Sequence, residues 1–430
     1  MNMGASMNGV REMTTTTTEP AATPVPLRRN RRFQTLWAGS ASAMLGTCLA
    51  DTAYPLLLLA MTGSPTVAGA FGAVQFGASV LFGLHGGTVA DRYDRRRILI
   101  AADTVRLLTA LSVVLALAAD WLTVPHALFA AAVIGATMAY GGPSRMLALR
   151  AVVPPEQLRQ ALSQDELRVN GAALAGPPLA GFLLGLGSAV PFLATVLTSG
   201  LALGASVAVR FDSGPGADKP ADGPAGEQGK EKGAALAGLR YLLAHRTMRG
   251  AVLIAAGLNL TGSAILLAVM VLLREHGTSE AGTGLVLTGE AVGGLLGALL
   301  VPHLHRLLSP GRLMLAVGWA AAVAFAACAA ASGPVLVFAA LAFGCLGVPS
   351  LRVLLDVLVF QRVPEEMRGR AMAGTMTLLM AGVPLGTMAA GLLLDRLSAP
   401  AVLTLLAAAL AAALLPLTLG RTLRSTSWTE

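Results

Sequence analysis

The sequence predicts an all-α integral membrane protein whose twelve transmembrane helices form two six-helix halves. Three observations predict this class: 55% of the 430 residues are hydrophobic, only 13% are charged, and long apolar stretches recur along the chain. A soluble domain carries about 25% charged residues. An apolar stretch of about 20 residues, by contrast, crosses the hydrocarbon core of a bilayer as a single helix. We therefore expect a multi-pass protein surrounded by lipid.

The apolar stretches divide into two groups of six, and each stretch predicts one helix. The first group lies at 34–60, 66–90, 98–119, 124–148, 167–186 and 188–209, and the second at 248–273, 282–302, 312–332, 334–358, 370–392 and 399–419. The end of the fourth stretch is poorly defined because Gly141, Gly142 and Pro143 follow one another there. Glycine and proline both weaken a helix.

The remaining regions complete the predicted domain organisation. Residues 1–32 form a polar, Thr- and Pro-rich cytoplasmic tail that we expect to be disordered. The two helix bundles occupy 33–210 and 248–420, a cytoplasmic linker occupies 211–247, and a second cytoplasmic tail occupies 421–430. From 234 to 249, leucines and basic residues alternate at helical spacing. That pattern predicts an amphipathic helix on the membrane surface or, alternatively, an extension of the seventh helix.

The distribution of Lys and Arg predicts the orientation of the chain. Most basic residues lie before the first helix, in the linker, and in the loops after the even-numbered helices, whereas the loops on the other side hold only Arg274 and Arg396. Positively charged loops stay in the cytoplasm, so both termini are expected there, with the protein in the plasma membrane. The Ala-rich composition, with more Arg than Lys, is typical of a GC-rich bacterial genome.

The same sequence argues against several functional classes. The net charge of +8 lies in short loops between apolar stretches, which leaves no contiguous basic face for nucleic acid. The three cysteines lie in apolar stretches without C-x-x-C spacing, and the six histidines form no H-E-x-x-H motif. The segment most like a phosphate-binding loop, at 226–231, lacks the spacing and the Ser or Thr after lysine that such loops require. We expect no enzyme activity, metal or cofactor.

The loop between the second and third helices carries the most specific motif. Residues 87–97 read GTVADRYDRRR, with the spacing G-x-x-x-D-R-x-x-R-R-R, which resembles the loop at the same place in transporters of the major facilitator superfamily. The resemblance covers roughly residues 30–420 and implies a secondary transporter with two repeated halves. Asp94 departs from the family pattern, where a glycine is common. The resemblance also implies a cytoplasmic gating loop that holds the halves together, formed by Gly87, Asp91, Arg92, Arg95 and Arg96.

The fifth helix carries a second motif, GAALAGPPLAG at residues 171–181. Small residues allow close helix packing in lipid, and proline kinks a helix. Ordinary helix packing is therefore one interpretation of the motif. With the related loops at 153–158 and 363–370, it also resembles the drug- and siderophore-exporter branch of the superfamily, including macrolide-efflux-like members. That resemblance favours export, and the residues that carry the antiporter-type motif are Gly171, Gly176, Pro177 and Gly181.

Ionisable side chains inside the apolar stretches are candidates for the transport site. Asp51 lies near the middle of the first helix and Glu290 about nine residues into the eighth, and a charge at that depth is costly unless it faces a cavity or a partner. Either carboxylate can carry a proton or attract a cation; a structural hydrogen bond is the alternative. Asp103 and Arg106, one helical turn apart, and Asp356 are predicted gate charges. The weaker cavity candidates are Gln75, Tyr140 and Asn259.

The predicted function is secondary active transport. We expect proton-coupled export, by antiport, of small hydrophobic or cationic compounds such as drugs or natural products, through alternating access. The alternative is an uptake carrier or facilitator for a small metabolite on the same fold, for which the Ala-, Leu- and Gly-rich interior offers few polar residues. The expected partners are the small-molecule substrate, protons and the lipid bilayer, and the expected assembly is a monomer.

Overall fold

The computed structural model describes residues 26–209, 240–244 and 246–419. Within these residues it contains twelve helices that are long and apolar enough to cross a membrane, which confirms the predicted all-α class. In chain order the helices are α1 (Arg31–Thr62), α2 (Pro65–Arg92), α3 (Arg95–Ala118), α4 (Val124–Val152), α5 (Leu158–Leu186), α6 (Val190–Ala208), α7 (Arg246–Glu275), α8 (Glu280–Leu307), α9 (Pro310–Ala329), α10 in two parts, α10a (Pro334–Cys345) and α10b (Val348–Arg362), α11 (Glu365–Leu394) and α12 (Ala399–Leu419).

Polar residues fix where the first three helices begin. The side chain of Asn30 accepts a hydrogen bond from the amide of Phe33 at 3.1 Å and so caps α1. Ser64 caps α2, and Pro65 follows in the first turn, where its missing amide hydrogen costs nothing. Asp94 caps α3 by accepting from two amides of its first turn. The residue that departs from the family pattern therefore starts a helix.

The tenth span is broken near its middle. α10a ends at Cys345 and α10b begins at Val348. Pro349 has no amide hydrogen to donate to the carbonyl of Cys345, four residues back, so a continuous helix would lack that bond. By contrast, α4 continues through the Gly-Gly-Pro sequence at 141–143, where the sequence left the end of the helix undefined, and ends at Val152.

In both halves the second helix packs closely against the fourth at glycines. A side chain on Gly135 of α4 would collide with the backbone of Gln75 on α2. In the C-terminal half, three glycines of α8 lie against carbonyl groups of the tenth span: Gly289, Gly293 and Gly297. Close backbone approach holds helices together in lipid, where no hydrophobic effect drives them to associate. The repeated contact is in keeping with two equivalent halves.

The bundle has two faces, which we name by their position relative to the linker. The linker face is where α6 ends and α7 begins; α1 also begins there and α12 ends there. The opposite face is where α1 ends and α2 begins. The two halves meet along two pairs of helices, α2 with α11 and α5 with α8. The basic loops predicted to be cytoplasmic belong to the linker face.

The predicted surface helix of the linker falls mostly outside the described residues. Residues 240–244 are helical, and α7 begins at Arg246. Leu242 is fully buried in the hydrophobic cluster that fills the C-terminal half. Residues 1–25 and 420–430 also lie outside the described residues, so the predicted tails and linker stay predictions.

Candidate functional site

Asp51 and Gln75, two of the predicted site residues, meet inside the N-terminal half. The side-chain amide of Gln75 donates a hydrogen bond to Oδ1 of Asp51 at 2.7 Å and makes a weaker contact, at 3.9 Å, with the sulfur of Met138. Gln75 is only 1% exposed. Asp51 lies eleven residues before the end of α1, which places it about 16 Å from the opposite face. A buried amide therefore holds this carboxylate deep in the bundle.

A cluster of charges lies between Asp51 and the linker face. Asp103 is buried, and its two oxygens accept hydrogen bonds from Arg145 and from the hydroxyl of Ser206, the latter at 2.7 Å. Arg106 interacts electrostatically with Asp51 and with Asp103. Within the described part of the chain, the buried Nε of Arg106 has no hydrogen-bond partner. The sequence predicted that Asp103 and Arg106 can pair, but the hydrogen-bonded ion pair of Asp103 is with Arg145.

This charge cluster borders a cavity of about 200 Å³ between α1, α3, α4 and α5. Asp165 and Arg168, one turn apart on α5, form an ion pair at 2.8 Å. Arg168 also donates to the carbonyl of Ser40 on α1, at 2.9 Å. The charged residues of the lining are Arg106, Arg145, Asp165 and Arg168. The cavity of the N-terminal half is thus small, and three arginines and one aspartate line it.

The C-terminal half contains a larger cavity, of about 720 Å³, bounded by α7, α8, α9, α10 and α11. The amide of Asn259, which lines it, donates to the carbonyl of Ala255 one turn back at 3.0 Å. Asp356 also lines it and is exposed. Glu290, the third predicted residue in this lining, lies ten residues after the start of α8, about 15 Å from the opposite face. Most of the remaining lining is apolar.

Glu290 lies at the break in α10. The thiol of Cys345, the last residue of α10a, donates a hydrogen bond to the carboxylate of Glu290. α11 contributes three methionines, spaced one turn apart, to the same lining: Met372, Met376 and Met380. Neither feature was predicted from the sequence. A cysteine or methionine in an apolar stretch has no distinctive pattern, and only the packing of α8 on α10 brings Cys345 to Glu290.

Tyr140 lines neither cavity. Its hydroxyl bonds with Nδ1 of His85 on α2 at 2.8 Å, and its ring packs edge-on against the same imidazole. The structure therefore places this predicted cavity residue in a polar contact between α2 and α4.

The predicted gating loop is described only in part. Arg95 is buried at the start of α3. Arg96 donates to the carbonyls of Val207, at 2.6 Å, and Val209, at 3.1 Å, which lie at the end of α6. A cation at the C-terminus of a helix is favourable because free carbonyls collect there, and this contact lies within one half. The side chains of the other loop residues are outside the described structure: Gly87, Asp91 and Arg92.

The small-residue motif of α5 lies largely at a helix interface. Gly176 packs against α1 of the same half. Gly181 packs against the backbone at the start of α8, and the carbonyl of Pro177 lies beside Gly284 of α8. Gly171, in contrast, has open space beside it. The motif therefore brings the two halves into close contact near the opposite face.

Hydrogen bonds also join the halves at the opposite face, and the sequence did not predict them. Asp395, just after α11, accepts from the hydroxyl of Ser64 at 3.4 Å and from the amide of Thr66 at 3.3 Å. Arg274, near the end of α7, donates to the carbonyl of Leu59 on α1. These contacts tie the loop between α1 and α2 to the C-terminal half and close the bundle at this face.

The site thus offers two deep carboxylates in different surroundings. Asp51 is held by an amide and lies near a cation, whereas Glu290 borders a large, mostly apolar cavity. Among the described residues, no group of three or more His, Cys, Asp or Glu side chains is arranged to hold a metal ion. Proton binding and recognition of a positive charge are the two tasks that such carboxylates can perform.

A family model described as transmembrane secretion effector matches residues 21–427 of this chain. The sequence is also 27% identical, over 156 residues, to macrolide efflux protein A of Streptococcus pyogenes. That alignment covers 35% of this chain and 38% of the relative. The chain therefore matches well under half the length of this curated relative.

Solved transporter structures share the fold. The nucleoside transporter NupG has a TM-score of 0.70 at 14% identity, over 90% of this chain and 99% of that one. An auto-inhibited POT family peptide transporter has a TM-score of 0.66 at 16% identity, over 90% and 96%. An inward-facing, unoccupied bacterial homolog of the human lysosomal transporter Spinster gives 0.64 at 16%, over 93% and 97%. The family match and the shared fold show that the chain belongs to the transmembrane secretion effector family and is a membrane transporter of the major facilitator type, not an enzyme.

Proposed function

We propose that this transporter exports small hydrophobic or cationic compounds in exchange for protons. The observation that carries the proposal is the carboxylate of Asp51, which lies about 16 Å inside the bundle and accepts a hydrogen bond from the buried amide of Gln75. A carboxylate at such depth is costly, and membrane helices keep one mainly where it serves a proton or ligand pathway. Asp51 binds a proton from outside the cell and releases it to the cytoplasm as the compound leaves.

The surroundings of Asp51 suit a carboxylate that changes its protonation state. The amide of Gln75 donates to Oδ1 of Asp51, and the positive charge of Arg106 lies near the same carboxylate. A proton can bind Oδ2 without breaking the hydrogen bond that Gln75 makes to Oδ1. Protonation then removes one of the two negative charges near Arg106 and leaves its attraction to Asp103. A shift of Arg106 towards Asp103 links the proton to a rearrangement of α1 against α3.

The direction of transport and the class of compound rest on similarity and on the larger cavity. The matched family is described as a secretion effector, and the curated relative is named an efflux protein. The mostly apolar lining of the 720 Å³ cavity suits a small hydrophobic molecule. With both termini on the cytoplasmic side of the plasma membrane, the contacts at the opposite face close the outer side of the bundle. The alternative is an uptake carrier or facilitator for a small metabolite.

Dye efflux from energised bacterial cells tests the proposal. We expect cells with the native protein to expel dye, and we expect a proton uncoupler and Asp51→Asn each to reduce efflux to the level of cells that lack the protein. Asp120→Asn is the matched control, because Asp120 is an exposed carboxylate in the turn after α3. Its backbone φ of 53° is one that asparagine tolerates. Membrane levels of all variants are measured by immunoblot.

Other outcomes lead to different conclusions. If the uncoupler stops efflux while Asp51→Asn remains active, the proton is carried elsewhere, and Glu290 is the next carboxylate to change. If no dye in a broad panel is expelled, a narrow exporter or the uptake carrier becomes the better interpretation. If the protein instead speeds accumulation of a metabolite, the export proposal is wrong.

A further inference from the structure

We propose that the break in α10 binds the positively charged head of the transported compound, and that the cavity beside it holds an apolar body. The binding site consists of the carboxylate of Glu290, the carbonyl end of α10a at Cys345, and the methionines of α11, all of which border the 720 Å³ cavity. The inference rests on the proposed function, because it names the class of compound that the exporter carries. It also assigns the site to the C-terminal half alone.

Negative charge is concentrated at the break. α10a ends at Cys345, and α10b begins at Val348 with Pro349 in its first turn. Because Pro349 has no amide hydrogen, it cannot donate to the carbonyl of Cys345 as the next helical turn would. Interrupted helices of membrane transporters present carbonyls to cations in this way. The carboxylate of Glu290, bonded to the thiol of the same cysteine, adds a full charge when it is ionised.

The charges that line the cavity leave a net negative charge for a ligand to neutralise. Arg352 and Asp356 both line it, and because they are four residues apart on α10b their charges offset each other. Glu290 is the third charged residue of this lining, and the hydrogen bond it accepts comes from a neutral thiol. Asp51 differs, since the cation of Arg106 lies near it. A ligand with one positive charge therefore matches this cavity.

The rest of the lining selects an apolar body of drug-like size. Met372, Met376 and Met380 repeat every four residues and so share one face of α11. Methionine side chains are flexible and polarizable, so they adapt to molecules of different shape. A cavity of about 720 Å³ is within the range that holds a drug-sized ligand. An inorganic ion would leave most of this volume unused, so we infer an organic cation.

Binding of two probes of the same shape and opposite charge tests the inference. Purified full-length protein in lipid nanodiscs is titrated with tetraphenylphosphonium and with tetraphenylborate. We expect the native protein to prefer the cation, and Glu290→Gln to weaken binding of the cation by about tenfold or more without weakening binding of the anion. Glu280→Gln, an exposed carboxylate at the start of the same helix, is expected to bind both probes as the native protein does.

Two further variants guard against a simple loss of folding. Glu290→Asp keeps the charge and is expected to retain the preference for the cation. Met376→Leu keeps the volume of an apolar side chain while removing a flexible sulfur, and is expected to weaken binding several-fold. If Glu290→Gln is folded and binds tetraphenylphosphonium as tightly as the native protein, the inference is wrong.

Alkylation of Cys345 locates the probe. Replacing Cys48 and Cys328 with serine leaves Cys345 as the single thiol of the chain. We expect tetraphenylphosphonium to slow maleimide labelling of Cys345, and tetraphenylborate to have little effect. Titration with sodium chloride in the absence of any organic cation forms a third arm. If sodium protects Cys345 through Glu290 and the organic cation does not, the site holds an inorganic ion and the proposal is overturned.

The outcomes for this inference and for the proposed function are separable. Binding that depends on Glu290 in a protein that does not export in energised cells supports the site and contradicts the exporter. Export that depends on Asp51, with cation binding unchanged in Glu290→Gln, supports the exporter and contradicts the site.

Discussion

Asp51 in the N-terminal half and Glu290 in the C-terminal half lie at similar depth, about 15 Å from the opposite face, but their surroundings differ. Asp51 accepts a hydrogen bond from Gln75 and lies near the cation of Arg106. Glu290 accepts from the thiol of Cys345 and borders a cavity of about 720 Å³. Gln75 and Glu290 each lie ten residues after the start of the second helix of their half. The same position of the repeat is therefore an amide in the N-terminal half, where it holds Asp51. In the C-terminal half that position is itself an acid.

This difference supports a division of tasks between the halves. The smaller, charged cavity of the N-terminal half leaves little room for a substrate, and its ion pairs can respond to a proton. The larger cavity of the C-terminal half has room for a substrate and one acid to recognise it. Coupling of proton binding to substrate transport then requires that the two halves move together. Their contacts along α2 with α11 and α5 with α8 allow this.

Neutralising each acid in turn tests this division most directly and should have the largest effect. We expect Asp51→Asn to lose uncoupler-sensitive efflux down to background while binding tetraphenylphosphonium within about twofold of the native protein. Glu290→Gln should lose both efflux and binding. Proton-driven transport in vesicles and probe binding in nanodiscs measure the two properties. Loss of binding in Asp51→Asn would show that both acids serve one site.

The next largest effect should come from the buried ion pair of the N-terminal half. Asp103→Asn leaves Arg145 without its partner, and an unpaired buried charge costs about 3–5 kcal/mol of unfolding free energy. Glu290→Gln should cost far less, because the donor to Glu290 is a neutral thiol. Denaturation in mixed micelles measures both. A double variant, Asp103→Leu with Arg145→Met, should recover stability; if it is no more stable than Asp103→Asn, the ion pair is not the cause.

Glycine-to-alanine substitutions at the close helix contacts should have a smaller effect, and a neighbouring glycine provides a matched control. Gly293→Ala places a methyl group against the backbone of the tenth span, and such overpacking costs about 1–3 kcal/mol. Its neighbour Gly294 has open space, so Gly294→Ala should be neutral or stabilise the helix by up to about 1 kcal/mol. Gly135→Ala should repeat the loss in the N-terminal half. Thermal unfolding in detergent compares the three, and equal melting temperatures would contradict the close contacts.

The number and approximate position of the helices could be predicted because a transmembrane helix is a local property of the sequence. Length and apolar composition are sufficient to identify a span. The break in α10 was not predicted, because a proline alone does not determine one: Pro349 lies at the break, whereas Pro143 lies inside a continuous α4. Which proline interrupts a helix depends on the neighbouring helices that satisfy the freed backbone groups.

The pairing of site residues was less predictable than their presence. Asp51, Gln75 and Glu290 were identified from charge or polarity at depth, which is again local. The pairing rule for one helix linked Asp103 with Arg106, whereas the hydrogen-bonded partner is Arg145 on a different helix. Such a pair depends on how α3 and α4 pack together, and no spacing along the chain encodes that. The partner of Glu290 at the α10 break was missed for the same reason.

Removing the hydrogen bonds that join the halves at the opposite face should have the smallest effect. It tests whether the two halves move relative to each other at that face. Asp395→Ala removes the acceptor for Ser64 and Thr66 and should weaken closure at the opposite face by about 0.5–1 kcal/mol, as for an exposed helix cap. That shifts the equilibrium between conformations by up to about fivefold. Labelling of Cys345 by an impermeant maleimide should then fall in inside-out vesicles and rise in right-side-out vesicles. Arg396→Ala, at the exposed neighbouring residue, is the control. If Cys345 is labelled equally in Asp395→Ala and in the native protein, the close packing of Gly181 on α8 is sufficient to hold this face closed.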